Sequence, residues 1–324
     1  MHEQIIDKLK DSGLLGRGGA CFPTWKKWES VKNAQGSEKY IVCNASEGEL
    51  KTYKDKYILE NYTKELVYGI NVALEFFLAK EAYIYLKREY YDELKEKIQK
   101  AIGDLPIKIF KKTGGYIAGE ETVALNAIEG TILHPRFKPP FPNESGLFSC
   151  PTLINNVETF WAIAQIAQDK YENDRFYSIQ GDVLHPGVYK LKESYSIQDI
   201  LKETKNYPNK DFFVQAGGGS SGSVLLPSEL NQGIKGIGSI IVYDKAKTDL
   251  FELMFTWADF FHNGNCDKCV PCREGLARAY DLLKDRRVTF DELKDIFYVM
   301  DETSFCPLGK VASRPFRDVF KKLL

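Results

Sequence analysis

The chain is predicted to be an α/β protein followed by a small β-rich part and a helical C-terminal part, and three observations predict it. Apolar runs alternate with amphipathic ones from residue 1 to about 170, short runs with turn signals fill 171–246, and helical spacing of apolar residues returns over 247–324. Three domains with these boundaries are expected.

In the first part, MHEQIIDKLKDSGLLG has the charge and apolar alternation of an amphipathic helix. KYIVCNA, AYIYLK and LPIKIFKK read as strands, and NYTKELVYGINVALEFFLAK and EYYDELKEKIQKAIG as helices, the second ending at Gly103. Strand, helix, strand in that order implies right-handed crossovers and a mostly parallel sheet, whose ligands bind at the strands' C-terminal ends. In the second part, FYSIQGDVLHPGVYKL carries Gly-Asp and His-Pro-Gly turns, QAGGGSSGS reads as a flexible glycine run, and GSIIVYD as a strand. The last part contains LFELMFTWADFFH, CREGLARAYDLLKD, FDELKDIFYVMD and ASRPFRDVFKKLL, enough for a four-helix bundle.

A chain of 324 residues with 44% hydrophobic and 27% charged residues is ordinary globular material, and a net charge of -1 offers no general attraction for nucleic acid or anionic membrane. The N-terminus lacks the apolar core and cleavage site of a signal peptide, and no stretch reaches the roughly 20 apolar residues of a membrane span. A cytoplasmic location is expected.

Seven cysteines in such a chain point to metal or redox chemistry rather than to a disulfide framework. Cys21, Cys43 and Cys150 are scattered and read as small buried residues. Cys266, Cys269 and Cys272 form C-x2-C-x2-C, and Cys306 follows in SFCPLG. Three thiolates on one tight loop and a fourth from a distant element suit a [4Fe-4S] cluster, whereas zinc, the structural alternative, more often takes paired knuckles. Cys272 is expected to open a helix whose N-terminal dipole favours a negative cluster, with Arg273 assisting.

Gly16, Gly18 and Gly19 surround Arg17 and precede Lys26 and Lys27, which suits a phosphate, although the spacing matches neither common nucleotide-binding glycine motif and a structural turn is equally compatible. Asn44, Glu47 and Glu49 follow a strand, and Glu120 and Glu121 follow a glycine-rich turn. Taken singly, such carboxylates more often cap helices or face water.

Taken in order, LLGRGGACFPTWKKW, CNASEGELKTYKD, GGYIAGEETVALNAIEG, PRFKPPFP, PTLINNVET, GDVLHPGVY, CDKCVPCREG and SFCPLG resemble the NADH-binding, FMN-containing subunit of respiratory complex I and its relatives in NAD-linked hydrogenases and formate dehydrogenases. The resemblance implies a Rossmann-like FMN-binding domain, a β-grasp domain of the SLBB type and a cluster-bearing bundle. It places Gly16, Arg17, Gly18, Lys27, Asn44, Glu47, Tyr116, Gly119, Glu120, Asn155 and Asn156 at FMN, and Phe22, Glu49, Glu121, Lys138 and Phe141 at NAD(H). No side chain is implied as a catalyst in its own right, because the cofactor carries the hydride chemistry. The chain departs from the family's usual GRGGAGFPTG at Cys21 and Trp25, and from N-A-D-E-x-E-P-G-T at Ser46, Leu50 and Lys51. Trp25 and Lys51 are expected to narrow the dinucleotide cleft.

The implied activity is that of an NADH:acceptor oxidoreductase subunit. It exchanges hydride between NAD(H) and FMN and single electrons with a [4Fe-4S] cluster, alongside a [2Fe-2S] thioredoxin-like subunit and further redox partners. The alternative is a relay or scaffold subunit that keeps the cluster without productive FMN or NAD(H) chemistry.

Overall fold

A computed structural model describes residues 4–286 and 288–324. The first part contains α1 (Ile5–Asp11), α2 (Thr24–Asn33), β1 (Tyr40–Ala45), α3 (Lys54–Asn61), α4 (Thr63–Phe77), β2 (Glu81–Leu86), α5 (Arg88–Ile102), β3 (Ile107–Lys111), α6 (Glu121–Glu129), β4 (Thr152–Asn156) and α7 (Val157–Ala167). The amphipathic N-terminal helix is shorter than its sequence pattern, and the first three residues of that pattern lie outside the described residues. The three expected strands pair in parallel in the order β3-β2-β1-β4. The fourth, TLINN, lacks a strand's usual run of apolar residues, and it forms because β1 offers it a free parallel edge.

Both faces of this sheet are covered, which explains why its strands read as continuous apolar runs rather than alternating ones. Ile41, Cys43, Ala45, Ile84 and Leu153 face a core built with α1, α2, α4, α5 and α7. Tyr40, Val42, Tyr83, Tyr85 and Ile154 face a smaller core with Ala124 and Leu125 of α6. The helix expected from Asn61 is α4, beginning at Thr63, and Tyr62 separates it from α3, which the sequence pattern does not single out.

The second part contains β5 (Asp174–Gly181), β6 (Gly187–Lys192), α8 (Ile197–Glu203), β7 (Phe212–Ala216), β8 (Ser223–Leu225) and β9 (Ser239–Asp244). These strands form one mixed sheet in the order β6-β5-β9-β7-β8, in which β5 and β9 run parallel and the other pairs antiparallel. One sheet face packs on α8 through Ile197, Ile200 and Leu201. The glycine run before β8 is no flexible linker. A Cβ on Gly219 would lie 1.6 Å from Leu50 O, so the run is pressed against the segment after β1.

The third part contains α9 (Leu250–Gly264), α10 (Val270–Lys284), α11 (Phe290–Thr303), α12 (Pro307–Val311) and α13 (Arg314–Lys322). Its core, with Trp257, Phe261, Leu276, Phe297 and Phe316, is continuous with Phe213 and Ile241 of the second sheet and with Ile117 and Val123 beside α6. No described helix is long and apolar enough to cross a membrane.

A buried ion network joins the first part to the second. Lys54 Nζ lies 2.6 Å from Asp55 Oδ1, 3.2 Å from Glu158 Oε2 and 3.0 Å from Asn156 Oδ1. Glu158 Oε1 accepts from the backbone N–H of Phe176 in β5 at 2.9 Å. Lys54 and Glu158 are each 1% exposed. Removing the cation would leave uncompensated carboxylates in the interior, so Lys54→Met should lower the unfolding free energy by about 3–5 kcal/mol. Urea denaturation monitored by tryptophan fluorescence would measure it.

Candidate functional site

The four grouped cysteines come together. Cys266, Cys269, Cys272 and Cys306 line one cavity with Ile117, Pro135, Lys268, Phe305 and Leu308. Cys269 is the N-cap of α10 and Cys306 that of α12, so the helix opens at Val270 rather than at Cys272. Gly309 is required by the close approach here, since a Cβ on it would meet Ser304 Oγ at 2.3 Å and Cys272 Cβ at 3.1 Å. Burial raises the thiol pKa of Cys272, and the charges of Cys269, Cys306 and Cys266 raise it further. Burial also pushes up Cys266 and Cys306, with backbone N–H groups opposing the shift at both. A single zinc ion draws its four ligands into a tight tetrahedron, more often from paired cysteine knuckles. Four thiolates around a cubane enclose a larger volume, and this donor set fits an iron-sulfur cluster. Arg273 does not line the cavity but reaches back to the cysteine loop, its Nε 2.8 Å from Glu274 Oε1 and its Nη1 donating to Asp267 O. The basic group lining the cavity is Lys268, which no sequence pattern singles out.

The residues placed at FMN collect at the C-terminal ends of β1 and β4. Gly16 N–H donates to Phe22 O at 2.9 Å and closes the glycine loop. Gly18 faces Asn156, whose Cβ would lie 3.3 Å from a Cβ on that glycine. Asn155 is buried and its Nδ2 has no hydrogen-bond partner, a donor aimed at nothing in the chain itself. Asn44 Nδ2 donates to Gly119 O at 2.9 Å, and Ser46 Oγ donates to Asn44 Oδ1 at 2.7 Å. Lys27 Nζ donates to Ile154 O at 3.0 Å and stands 3.7 Å from Glu121 Oε2. Lys138 Nζ bridges Glu120 and Glu121 at 2.9 and 2.6 Å. Burial lowers the Lys27 pKa, with Glu121 opposing and Lys138 adding to the fall. Glu121 is held below its ordinary value because Lys27 and Lys138 together outweigh its burial. An unpartnered buried amide near Lys27 and a glycine loop fits a flavin with its phosphate, while Lys138 and Glu121, expected at NAD(H), form an ion pair beside them.

Several residues in this group are committed elsewhere. The Arg17 guanidinium is buried against Glu193 of the loop after β6, with Nη2 2.6 Å from Oε2, and its backbone N–H donates to Thr159 Oγ1 at 2.9 Å. Glu47 accepts from the N–H groups of Asp55 and Lys56 at 2.8 and 3.2 Å and from Tyr90 Oη at 2.8 Å, the helix-capping role such carboxylates more often take. Asn156 caps α7 and donates to Asp55 Oδ2 at 2.7 Å.

Of the residues placed at NAD(H), Phe22 and Phe141 are 49% and 46% exposed, free to present ring faces. Glu49 is not free. It accepts from Tyr116 Oη at 2.7 Å, from Ser220 N and Oγ at 2.8 and 2.6 Å and from Ser221 Oγ at 2.5 Å, tying the glycine run to the first part. The expected obstruction by Trp25 and Lys51 also changes character. Trp25 packs against the first core with the Lys10 and Lys26 ammonium groups each 5.4 Å from its ring, and Lys51 reaches over Tyr243 at 5.5 Å. Cys21 and Lys51, both substituted for the family's usual glycines, keep left-handed backbones with φ of 51°. The chain path survives at the expense of local strain.

Comparison with known proteins supports the geometry. Residues 9–165 match the family described as the Nuo51 FMN-binding domain, and 252–323 match the NADH-ubiquinone oxidoreductase-F iron-sulfur binding region. The second F-type subunit of the NADH-quinone oxidoreductase of Rhizobium meliloti is 32% identical, over 98% of this chain and 86% of its own length. The chain belongs to the family of NADH-quinone oxidoreductase F-type subunits. The F-type subunit of Aquifex aeolicus is likewise 32% identical, over 99% of this chain and 84% of its own. A solved chain of an NAD+-reducing [NiFe]-hydrogenase in its H2-reduced state superposes with a TM-score of 0.90 at 28% identity, covering 99% of this chain. This chain spans only 61% of that one, and 59% of the HoxS alpha subunit of the Cupriavidus necator NAD-reducing hydrogenase, to which it is 30% identical.

Burial and then Asp55 push the Glu47 carboxyl up to about 8, against Lys54, the Asp55 N–H and Tyr90. Its folded pKa exceeds the unfolded one, so between pH 4.5 and 8 the unfolded chain releases a proton that the folded chain keeps, and this carboxyl's contribution to stability falls as pH rises. Glu47→Gln should gain stability relative to the parent across that window and gain no more above it. Urea midpoints of both proteins at stepped pH would test this.

Proposed function

We propose that this member of the F-type family is a flavin- and iron-sulfur-containing electron-transfer subunit of a multisubunit oxidoreductase. It exchanges hydride between NAD(H) and FMN, and single electrons with a [4Fe-4S] cluster. The observation that carries this reading is adjacency. Ile117 lines the cysteine cavity, while its neighbour Tyr116 and Gly119 on the same short turn belong to the flavin-site residues. Within this reading 1–170 forms the flavin and NAD(H) domain, 171–246 a β-grasp domain, and 247–324 the cluster domain.

Bound FMN supplies the conversion between a two-electron hydride and single electrons. The chain's own residues position and insulate it. Asn155 would donate its spare amide hydrogen to the flavin, Lys27 would face its phosphate, and Lys138 with Glu121 would meet the polar parts of the dinucleotide. The Gly16–Gly19 backbone leaves room for close approach, and Phe22 and Phe141 offer apolar faces to the nicotinamide dinucleotide. Four thiolates from Cys266, Cys269, Cys272 and Cys306 hold the cluster. A [2Fe-2S] thioredoxin-like subunit in the cytoplasm would take the electrons onward.

The saturated carboxylate of Glu49 favours the second reading, a relay subunit without productive NAD(H) chemistry, because a dinucleotide hydroxyl would have to displace a serine donor. The protein, purified anaerobically, should carry FMN whose absorbance bleaches on addition of NADH. Flavin blind to NADH would establish the relay reading instead. Asn155→Ala should weaken FMN binding roughly tenfold, the value of one buried hydrogen bond, measured by fluorescence titration of the apoprotein. Cys306→Ala should lose the four irons while the first sheet stays folded by circular dichroism; retention of all four would refute the ligand assignment.

A further inference from the structure

Lys268, between Cys266 and Cys269, is held more firmly than a surface lysine of a metal loop needs to be. Its Nζ donates to the carbonyl of Pro135 at 2.6 Å, across 133 residues of sequence. The same ammonium lies 4.3 Å from the ring centroid of Phe305 and 4.9 Å from that of Phe137, and those two rings meet edge to face at 4.8 Å. Pro135, Lys268 and Phe305 all line the cysteine cavity. Three anchors from two parts of the chain therefore fix one positive charge at the wall of the cluster site. Phe137 is 73% exposed, and Phe305 is the ring it meets.

We propose that Lys268 is a positioning residue for the cluster: a clamped cation that docks the cysteine loop onto the 135–137 segment and favours the reduced cluster over the oxidised one. The inference rests on the reading that a [4Fe-4S] cluster occupies the cavity. Reduction adds one electron to the cluster and no other charge, so a fixed cation at the wall stabilises the reduced state more than the oxidised state. A lysine free to swing into water would be screened. The Pro135 carbonyl and the two ring faces hold the group in place, and an ammonium over aromatic faces loses part of its hydration. Arg273, also beside a ligand, pairs with the exposed Glu274 and holds the Asp267 carbonyl from outside the cavity lining.

The test is a redox titration of the full cluster-loaded chain, followed by electron paramagnetic resonance, for the parent, Lys268→Met and Lys268→Arg. At the parent's midpoint, Lys268→Met with its iron retained should show a reduced-to-oxidised ratio at least tenfold lower, about 59 mV for a one-electron couple. Lys268→Arg should stay within threefold of the parent. Lys268→Met titrating like the parent, or both variants shifting alike, would overturn the proposal. Should Lys268→Met lose its iron, Lys268→Arg decides: iron kept supports the need for charge, and iron lost in both assigns the residue to loop folding and overturns it. A parent protein without iron would instead defeat the cluster reading itself.

Discussion

An ammonium group cannot be buried without anions to hold it, and Lys54 organises the centre of this protein for that reason. Its partners come from three places: Asp55 beside it on α3, Asn156 at the end of β4, and Glu158 in the first turn of α7. Glu158 passes the constraint on by accepting the Phe176 N–H, which ties β5 to the first turn of α7. Arg17 and Glu193 make a second charged link between the same two parts. The strand ends that carry the flavin-site residues are thus held from behind by buried charge, and this arrangement suits a site where a small displacement would cost hydride transfer.

Glu49 plays the corresponding role on the other side. Its carboxylate gathers Tyr116, Ser220 and Ser221, so the turn that carries Tyr116 and Gly119 is fixed to the second sheet as well as to α9, where the Tyr116 ring lies 4.7 Å from Phe260. The same turn brings Ile117 to the wall of the cysteine cavity, next to Tyr116 and Gly119, which the proposed reading places at the flavin. The left-handed backbones of Cys21 and Lys51 belong to the same logic. The neighbouring contacts over-determine the path, and side chains are tolerated where glycine would be unstrained.

Much of this is legible along the chain. The three-part organisation follows from a change in apolar spacing, because periodicity is a local property of helices and of buried strands. The cysteine ligands are legible because three of them lie on one loop, where spacing alone dictates convergence. The strand at Thr152–Asn156 is not, since TLINN owes its conformation to pairing with β1 and not to its own composition. The glycine run looks flexible in isolation, yet it is compact because Leu50 and Glu49 press on it from far away in sequence.

By itself the sequence determined which chemistry the chain can support: four thiolates in cluster spacing, a glycine loop beside lysines, and paired asparagines at a strand end, each carried within a few residues. Only the tertiary structure decided which polar groups remain available to a ligand. Asn155 keeps an unpartnered donor, while the carboxylates of Glu47 and Glu49 and the terminal guanidinium nitrogens of Arg17 are taken by partners distant in sequence. It likewise decided that Lys268, and not Arg273, lends its charge to the cluster cavity. The physical reason is common to all of them: a buried polar group is satisfied by whatever the fold brings to it, and sequence order does not reveal those partners.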